Sequence, residues 1–408
     1  MGPGLVTGAA DDDPSGIGTY SQAGARYGFQ LLWLSSFTFP LMALVQEMCA
    51  RIGLVTGRGL AANIRQHYSR RLLYIVTALL FSANAFNIGA DLGAMAKATQ
   101  LVFPGLGFAL LVVGFVIASL TLQIFVSYRN YARYLKWLAL ILIAYIFSAI
   151  LTDLPWRTIL RFTIVPSLTF SRDQILLVTA ILGTTISPYL FFWQTSQEVE
   201  EEILEGKISI KSRRGTSPSE IRKMRLDVWS GMLFSNVVMF FIIAASAGTL
   251  FAHGVTNIAT AADAAIALRP LAGEGAYLLF ALGIIGTGLL AVPILAGSAS
   301  YAVSESLRWE TGLYRKFREA IGFYGVIIVA MIAGLTMNFL GLDPIKALIY
   351  SAIGNALVAP IVLVLIVQMS SSQKVMGEYK SSSQVTAWGW VTVALMTVAG
   401  VATLITLF

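Results

Sequence analysis

The sequence predicts an all-α polytopic membrane protein, and three observations predict it. Of the 408 residues, 57% are hydrophobic and only 12% are charged, with a mean hydropathy of +0.75. Soluble domains carry about 25% charged residues. Apolar stretches of about 20 residues, the length needed to cross a bilayer, recur along the whole chain. Two of these stretches are interrupted by proline near their middle.

Eleven stretches qualify as spans when the interrupted first one is included. Their predicted ranges are 2–25, 29–50, 72–99, 107–127, 131–151, 174–200, 227–251, 275–303, 319–340, 344–369 and 386–408. Hydropathy alone would find ten, because the centre of the first stretch holds three aspartates. We therefore predict one transmembrane domain over 1–408, with a first repeat at 1–151, a second at 174–370 and an additional helix at 386–408.

Basic residues in the loops predict the orientation, since cytoplasmic loops are enriched in Lys and Arg. With the N-terminus inside, 21 of the 28 Lys and Arg residues fall on the inner side. This distribution explains the net charge of +7 without nucleic acid as a partner. The N-terminus lacks a basic segment and a small-residue cleavage site, so we expect no signal peptide. We predict a multi-pass plasma-membrane protein with a cytoplasmic N-terminus and the lipid bilayer as its surroundings; protein partners stay unknown.

The composition argues against several kinds of site. Cys49 is the single cysteine, which excludes a disulfide framework and a cysteine metal site. The two histidines, His67 and His253, lie in predicted loops, so no histidine cluster is available for zinc. No Ser–His pair or His-x-x-His-like motif lies within a span. We expect neither an intramembrane enzyme nor a resident cofactor.

The first interruption, residues 11–16, reads DDDPSG. An ionisable side chain at bilayer depth costs about 2.5–3.5 kcal/mol on insertion scales, so three acids there need a reason. Proline and glycine favour a break in the helix. Irregular backbone at that depth is tolerated only where it is buried in protein or lines a cavity. The stretch therefore predicts a cation site at a broken helix.

The second interruption, residues 183–189, reads GTTISPY and lies near the middle of the sixth span. Five spans separate the starts of the two broken helices. Because five is odd, the orientation reverses, and spans 1–5 and 6–10 can form an inverted repeat. Paired broken helices in two inverted halves point to a transporter binding site. Two ordinary proline kinks are the alternative. A purely structural membrane scaffold fits the composition but does not explain the paired breaks.

Several motifs resemble the start of the Nramp family. They are GPG at 2–4, DPSG at 13–16, QAGARYG at 22–28 and LW at 32–33, followed by ARIGLVTG at 50–57 after the second span. The likeness extends from the first span to the tenth. It implies a LeuT-like fold, with helices 1 and 6 broken at the membrane midplane. It also implies transport of divalent transition metals, typically coupled to protons.

The chain departs from the family's pattern at the first two motifs. The family's Asp-Pro-Gly-Asn keeps its aspartate as Asp13, but Gly16 stands at the position of the asparagine ligand. The family's Met-Pro-His begins here with Ser187 and ends with Tyr189, so a hydroxyl replaces the thioether. A later histidine of the family falls at Gln194.

Two more departures lie in the third and tenth spans. The family's Asp and Glu, one turn apart in the third span, fall at Asp91 and Ala94, so only the aspartate remains. The glutamine that joins the metal site from the tenth span falls at Ala352. These changes remove titratable groups from the proton route that the family uses.

The departures imply a different cargo. Methionine favours soft ions such as Mn²⁺, Fe²⁺ and Cd²⁺, whereas Mg²⁺ requires oxygen ligands and usually keeps several waters. The chain therefore resembles the Nramp-related magnesium transporters, a branch that moves Mg²⁺ and Mn²⁺ without proton coupling. A proton-coupled Mn²⁺/Fe²⁺ Nramp transporter is the alternative. A Na⁺-coupled organic-solute carrier of the same fold is less expected, because three aspartates would repel a substrate carboxylate.

The predicted metal site draws on both breaks. Asp13 is expected to bind the ion directly or through water; capping of the broken helix is its structural alternative. Ala10 and Thr184 match positions that supply backbone carbonyls in Nramp proteins. The predicted metal residues are Asp13, Ala10, Thr184, Ser187 and Gly16, and candidates for the pathway or for support of the ligands are Asp12, Asp11, Tyr189, Asp91, Gln194 and Asn355. Successive helical residues point about 100° apart, so the three aspartates are not expected to face one ion.

Other acids have plainer expected roles. Glu47 lies four residues before Arg51, which predicts an ion pair along one helix. Five glutamates crowd the inner end of the sixth span: Glu198, Glu200, Glu201, Glu202 and Glu205. We expect a solvated helix extension balanced by the basic residues that follow. Concentration of cations at the inner mouth is the alternative.

Overall fold

A computed structural model describes residues 2–126 and 142–407. Within those ranges the helices of eight or more residues are α1 (Pro3–Asp11), α2 (Pro14–Tyr27), α3 (Trp33–Thr56), α4 (Leu60–His67), α5 (Arg70–Val102), α6 (Phe108–Phe125), α7 (Ile143–Leu151), α8 (Trp156–Ile164), α9 (Arg172–Thr185), α10 (Pro188–Leu204), α11 (Pro218–Thr249), α12 (Ala276–Leu307), α13 (Ile321–Met337), α14 (Pro344–Ser371) and α15 (Ser383–Leu407). The all-helical prediction is confirmed.

Eight helical segments of the described chain are long and apolar enough to cross a membrane. The α9–α10 pair counts as one of them, and α13 is a shorter apolar helix. The α1–α2 pair is not among the eight, as expected for a span with three acids at its centre. The first part of the predicted span 131–151 lies outside the described residues, and α7 corresponds to its end. The predicted inner-loop residues Arg129, Arg133 and Lys136 also lie outside the described residues.

Both predicted breaks are present. The first separates α1 from α2 at Asp12 and Asp13, and the second separates α9 from α10 at Ile186 and Ser187. Each second half begins with proline, whose missing N–H costs nothing at a helix start. The two interrupted helices match the LeuT-like arrangement that the resemblance implies. The division into repeats at 1–151 and 174–370 stays a prediction.

One helix extends well beyond its predicted span. The seventh span was expected at 227–251, but α11 begins at Pro218, because Ser217 and Glu220 form a capping box there. The predicted loop at 201–226 is correspondingly shorter. The helices α4 and α8 lie outside the predicted spans.

The broken helices lie between two groups of long helices. On one side α11 packs against α1, α2 and α3, and on the other α5 packs against α12, α13 and α14. The α1–α11 contact is very close, since a Cβ added at Gly231 would lie 2.2 Å from the carbonyl oxygen of Gly4. The fold thus holds both breaks inside the protein.

Candidate metal site at two broken helices

The first break exposes helix ends to the protein interior. α1 ends at Asp11, and Asp12 then leaves the helical region with φ −85° and ψ 51°. Asp13 is extended, with ψ 171°, and forms the N-cap of α2. Orphan carbonyls at the end of α1 and orphan amides at the start of α2 therefore lie close together. Such ends offer ligands to a cation and partners to a carboxylate.

Asp13 is held by bonds on both carboxylate oxygens. Its Oδ1 accepts from the backbone N–H of Gly16 at 2.7 Å, and its Oδ2 accepts from Nδ2 of Asn87 at 3.0 Å. Asp13 therefore caps the N-terminus of α2, which is the structural role expected as the alternative to ion binding. A carboxylate oxygen has more than one lone pair, so neither bond prevents ion binding. The two bonds fix the direction in which Asp13 points.

Asp11 and Asp12 turn towards α11. The Ser235 hydroxyl lies 2.5 Å from Oδ2 of Asp11 and 3.3 Å from Oδ1 of Asp12. The helical spacing of about 100° was expected to separate them, but it does not apply once the helix has ended at Asp11. These two carboxylates share one partner, whereas Asp13 faces α5.

Asp91 lies on the face of α5 that meets the first break. It follows Asn87 by four residues, which places both on one side of the helix. Asp91 is close enough to Asp13 for the two carboxylates to interact electrostatically. Asp91 is fully buried; the backbone N–H of Ser15 is its nearest donor, and neither carboxylate oxygen forms a well-aligned hydrogen bond with a described residue. The internal pair that was its structural alternative is not found there.

At the second break, the side chain of Ser187 caps backbone carbonyls at the end of α9. The Ser187 hydroxyl lies 2.6 Å from the carbonyl oxygen of Gly183 and 2.8 Å from that of Thr184. The hydroxyl has one proton, so it donates to one of these carbonyls at a time. Its oxygen keeps two lone pairs that can still accept a hydrogen bond or bind a cation. The Thr184 carbonyl predicted as a ligand thus has Ser187 as a neighbour that can donate to it.

Tyrosine hydroxyls connect the two breaks. Tyr189 donates to the carbonyl oxygen of Ala10 at 3.1 Å. Tyr20 of α2 lies 3.2 Å from the hydroxyl of Thr185 at the end of α9. The predicted carbonyl of Ala10 and the predicted pathway residue Tyr189 are therefore direct neighbours.

Gly16 lies where the two interruptions approach each other. A Cβ added there would lie 3.2 Å from the carbonyl oxygen of Asp11, 3.3 Å from Oγ1 of Thr184 and 3.3 Å from the ring of Tyr20. Those distances are tighter than usual Cβ contacts. Even a methyl group would press on these neighbours, so the two breaks pack tightly at this junction and leave no spare room there.

The predicted pathway residues Gln194 and Asn355 differ in their hydrogen bonding. Gln194 accepts from the hydroxyl of Thr7 at 2.6 Å and donates to Oε1 of Glu198 at 2.8 Å. Asn355 lies four residues after Ser351, whose hydroxyl is 3.1 Å from that of Ser15. Its Oδ1 is buried without a hydrogen-bond partner among the described residues.

The expected solvated extension of α10 is only partly correct. Glu198, Glu200 and Glu202 are buried, with 6%, 5% and 2% exposure. Glu200 accepts hydrogen bonds from the Tyr301 hydroxyl of α12 and from the backbone N–H of Leu313 in the loop after α12. These two segments cover this end of α10. Glu201 is partly exposed and Glu205 is exposed, as predicted.

The expected ion pair between Glu47 and Arg51 is confirmed. Glu47 is also bound by Arg225 at 2.9 Å and by the indole N–H of Trp229 at 2.8 Å. These contacts join α3 to α11 at the end of the bundle that carries the N-terminus. They give Glu47 a structural role.

The acid cluster is closed to solvent. Asp11, Asp12 and Asp91 have no exposed surface, and Asp13 is 1% exposed. Within residues 2–126 and 142–407, no three His, Cys, Asp or Glu side chains form a ready metal cage. Buried carboxylate oxygens without partners nevertheless remain, namely Oδ1 of Asp11, Oδ2 of Asp12 and both oxygens of Asp91. The arrangement suits a cation that uses few carboxylates and adds other oxygen ligands.

Sequence reasoning missed several residues that shape this site. Asn87 and Ser235 bind the aspartates, and Ser298 of α12 donates to the backbone carbonyl of Tyr189 at 2.7 Å. The spacing of four residues between Asn87 and Asp91 was the available signal for the first. Ser235 in α11 and Ser298 in α12 could not be singled out from the sequence, because each lies in an apolar helix that contains other small polar residues.

Comparison with known families supports the resemblance found in the motifs. The family described as natural resistance-associated macrophage protein-like matches residues 4–406. The chain belongs to the Nramp family. It is therefore a multi-pass membrane transporter rather than an enzyme, as the sequence predicted. Two proteins named divalent metal cation transporter MntH, from two strains of Klebsiella pneumoniae, are 27% and 26% identical over 403 residues; each alignment covers 97% of this chain and 91% of the relative.

Solved structures agree on the fold of this Nramp protein. A manganese transporter of Eremococcus coleocola aligns with a TM-score of 0.76 at 20% identity, covering 98% of this chain and 84% of that one. Mhp1, a nucleobase-cation-symport-1 family transporter, aligns with a TM-score of 0.54 at 14% identity, covering 99% of this chain and 91% of that one. At these identities the likeness concerns the fold, and it confirms the LeuT-like architecture.

Proposed function

We propose that this Nramp protein takes up divalent metal cations, prefers Mg²⁺ and also carries Mn²⁺. The names of the relatives, a divalent metal cation transporter and a manganese transporter, support the class of cargo. The observation that carries the proposal is the set of buried, unpartnered carboxylate oxygens of Asp11, Asp12 and Asp91 beside Asp13. Such groups are costly to bury without a partner, and a divalent cation offsets that cost.

The preference for Mg²⁺ rests on the polar atoms at the two breaks. The first break offers carboxylates and backbone carbonyls, and the second offers the hydroxyls of Ser187 and Tyr189. These are oxygen ligands, which suit Mg²⁺ and are accepted by Mn²⁺. Gly16 has no side chain that would bind the ion directly, so a water could take that place once the two breaks have moved apart. Mg²⁺ would keep such a water because it loses water reluctantly.

Uptake without proton coupling is the second part of the proposal. Gln194 occupies a position at which the family has histidine, and it bridges Thr7 and Glu198 through an amide that does not titrate. Ala94 stands where the family has a glutamate one turn from Asp91. The membrane potential alone supplies about 4.6 kcal/mol per 100 mV for a divalent ion. That suffices for inward movement without a coupled proton.

Alternating access is the mechanism that fits this geometry. Because the acids are buried from both ends, an ion reaches them only after α1, α2, α9 or α10 has moved. Broken helices at a repeat interface commonly serve as the moving parts of such transporters. We place the protein in the plasma membrane with a cytoplasmic N-terminus, on the charge distribution of the loops.

Uptake of Mg²⁺ into proteoliposomes tests the proposal, with Mn²⁺ as competitor. Asp13→Ala should abolish Mg²⁺ flux. Asp343→Ala is the matched control, because Asp343 also caps a helix that begins with proline, but it is exposed and lies at α14. Unchanged flux in Asp13→Ala would remove the central residue. Metal-driven acidification of the vesicle lumen would show proton coupling and contradict the second part.

A further inference from the structure

A cavity of about 260 Å³ lies at the end of the bundle that carries the N-terminus, between α4, the start of α5 and the end of α12. Its lining consists of Arg65, Arg70, Leu73, Tyr74, Ser306, Leu307 and Arg308. Three of these residues are arginines, and none of the lining residues in the described chain is acidic. The cavity is therefore an anion-binding candidate that the metal site does not explain.

The arginines that line the cavity are poorly neutralised. Arg65 donates through one nitrogen to the backbone carbonyl of Glu305, which leaves other N–H groups of its guanidinium available. Burial and then the guanidinium of Arg308 lower the pKa of Arg65, while Glu305 opposes them. Within the described chain, Arg70 and Arg308 form no ion pair. Like charges held together in this way favour an anionic ligand.

A neighbouring cavity of about 370 Å³ is less suited to an anion. It shares Arg65 and Arg308, but it also contains Glu200, Glu305 and Glu310. Carboxylates there repel an anion and supply counter-charge to the arginines. The acid-free cavity is the better anion site, even though it is smaller.

The surroundings of the acid-free cavity indicate a lipid. Tyr74 is 48% exposed and Leu307 is 43% exposed, and Ile75 beside them is 55% exposed. In a membrane transporter, exposed apolar side chains on a spanning helix meet acyl chains. α5 also begins at Arg70, so the positive end of its dipole points towards this end of the bundle. Basic pockets between spanning helices are a recognised form of anionic head-group site.

We propose that this cavity binds the phosphate of an anionic phospholipid, with Arg65, Arg70 and Arg308 on the head group and Tyr74 and Leu307 beside the acyl chains. Arginine suits this task because its planar guanidinium matches phosphate geometry. The site joins α4, α5 and α12, so an occupied site stabilises their packing. None of its lining residues belongs to the acid cluster or to either break.

The test measures the melting temperature of the detergent-purified protein with added phosphatidylglycerol, phosphatidylcholine or inorganic phosphate. Phosphatidylglycerol should raise the melting temperature of the wild type, and phosphatidylcholine should not. The shift should be lost in Arg70→Gln/Arg308→Asn. Asparagine is chosen because Arg308 has φ 62°, a conformation that asparagine adopts more readily than most residues.

The matched control is Arg71→Gln/Arg318→Gln, which removes the same charge from two exposed arginines outside the lining of this cavity. It should retain the full shift. If Arg70→Gln/Arg308→Asn fails to fold, Arg70→Gln against Arg71→Gln makes the same comparison at one exposed helix start. A full phosphatidylglycerol shift in the cavity variants would overturn the proposal. An equal shift with inorganic phosphate alone would overturn it in favour of a soluble anion.

Discussion

The Tyr189 hydroxyl donates to the carbonyl oxygen of Ala10 at 3.1 Å and joins the two interrupted helices at their breaks. Ala10 lies in the last turn of α1, whose carbonyls have no partner within the helix. Tyr189 lies in the first turn of α10, and its own carbonyl accepts from Ser298. One residue therefore ties α1, α10 and α12 together around the acid cluster.

Tyr189→Phe should weaken this connection. The change removes one buried donor and leaves the Ala10 carbonyl without it, so we expect a loss of about 1 kcal/mol in the free energy of unfolding. Mg²⁺ uptake should also fall, because the closed arrangement of the breaks is held less firmly. Thermal melting and proteoliposome flux measure the two effects. Tyr350→Phe, at a 52% exposed position, is the control. Equal melting of both variants would contradict the role of the bond.

Asn87→Ala should lower the apparent affinity for Mg²⁺ with little loss of folded protein. Asn87 holds Oδ2 of Asp13 at 3.0 Å and thereby orients the predicted ligand. Residues that orient metal ligands typically contribute 10–100-fold to affinity, and we expect about that loss. The concentration dependence of uptake measures it. Gln100→Ala, in the last turn of α5, should leave the affinity unchanged. An unaltered affinity in Asn87→Ala would show that Asp13 does not need this partner.

The broken helices could be predicted because their cause is local. Proline at 14 and 188 disfavours helix at the residue before it, and three aspartates in an apolar span point to a special site. Proline alone does not decide the matter, because Pro40, Pro293 and Pro360 lie within continuous helices. The separation of the two breaks by five predicted spans then indicated that these helices pair. The end of α1 also showed the limit of helical spacing, because the chain leaves the helix between Asp11 and Asp13.

The partners of the aspartates could not be predicted, because they depend on packing between distant segments. Ser235 lies 224 residues after Asp11, and Asn87 lies 74 residues after Asp13. Serine and asparagine are common in spanning helices, where they bond across helix pairs. Neither type of residue alone indicates which helix face meets the break. The burial of Glu198, Glu200 and Glu202 was missed for a similar reason, since the covering segments come from elsewhere in the chain.

Ser187→Met should shift the preference from Mg²⁺ towards Mn²⁺ and Cd²⁺. A thioether at this break would add a soft ligand, which Mg²⁺ does not use. The substitution also removes the hydroxyl near the carbonyls of Gly183 and Thr184, so Ser187→Ala is the control that loses those contacts alone. Competition of each metal against Mg²⁺ uptake gives the ranking. If Ser187→Ala and Ser187→Met rank the metals identically, the thioether has no access to the ion.

Gly231→Ala should destabilise the protein and reduce transport together. A Cβ at Gly231 would lie 2.2 Å from the carbonyl oxygen of Gly4, so α1 must move away from α11. Overpacking of this kind typically costs about 1–3 kcal/mol. The shift also displaces the first break, because Asp11 lies at the far end of the same short helix.

Gly325→Ala is the matched control for Gly231→Ala. Gly325 lies within α13, and a Cβ added there meets no atom within 4 Å. Alanine favours a helix interior over glycine by about 0.8–1.0 kcal/mol, so this variant should melt at the same temperature as the wild type or slightly higher. A similar fall in melting temperature in both variants would mean that glycine itself, rather than the α1–α11 contact, is required. A fall in Gly231→Ala alone, with loss of Mg²⁺ flux, would place the position of α1 among the determinants of the ion site.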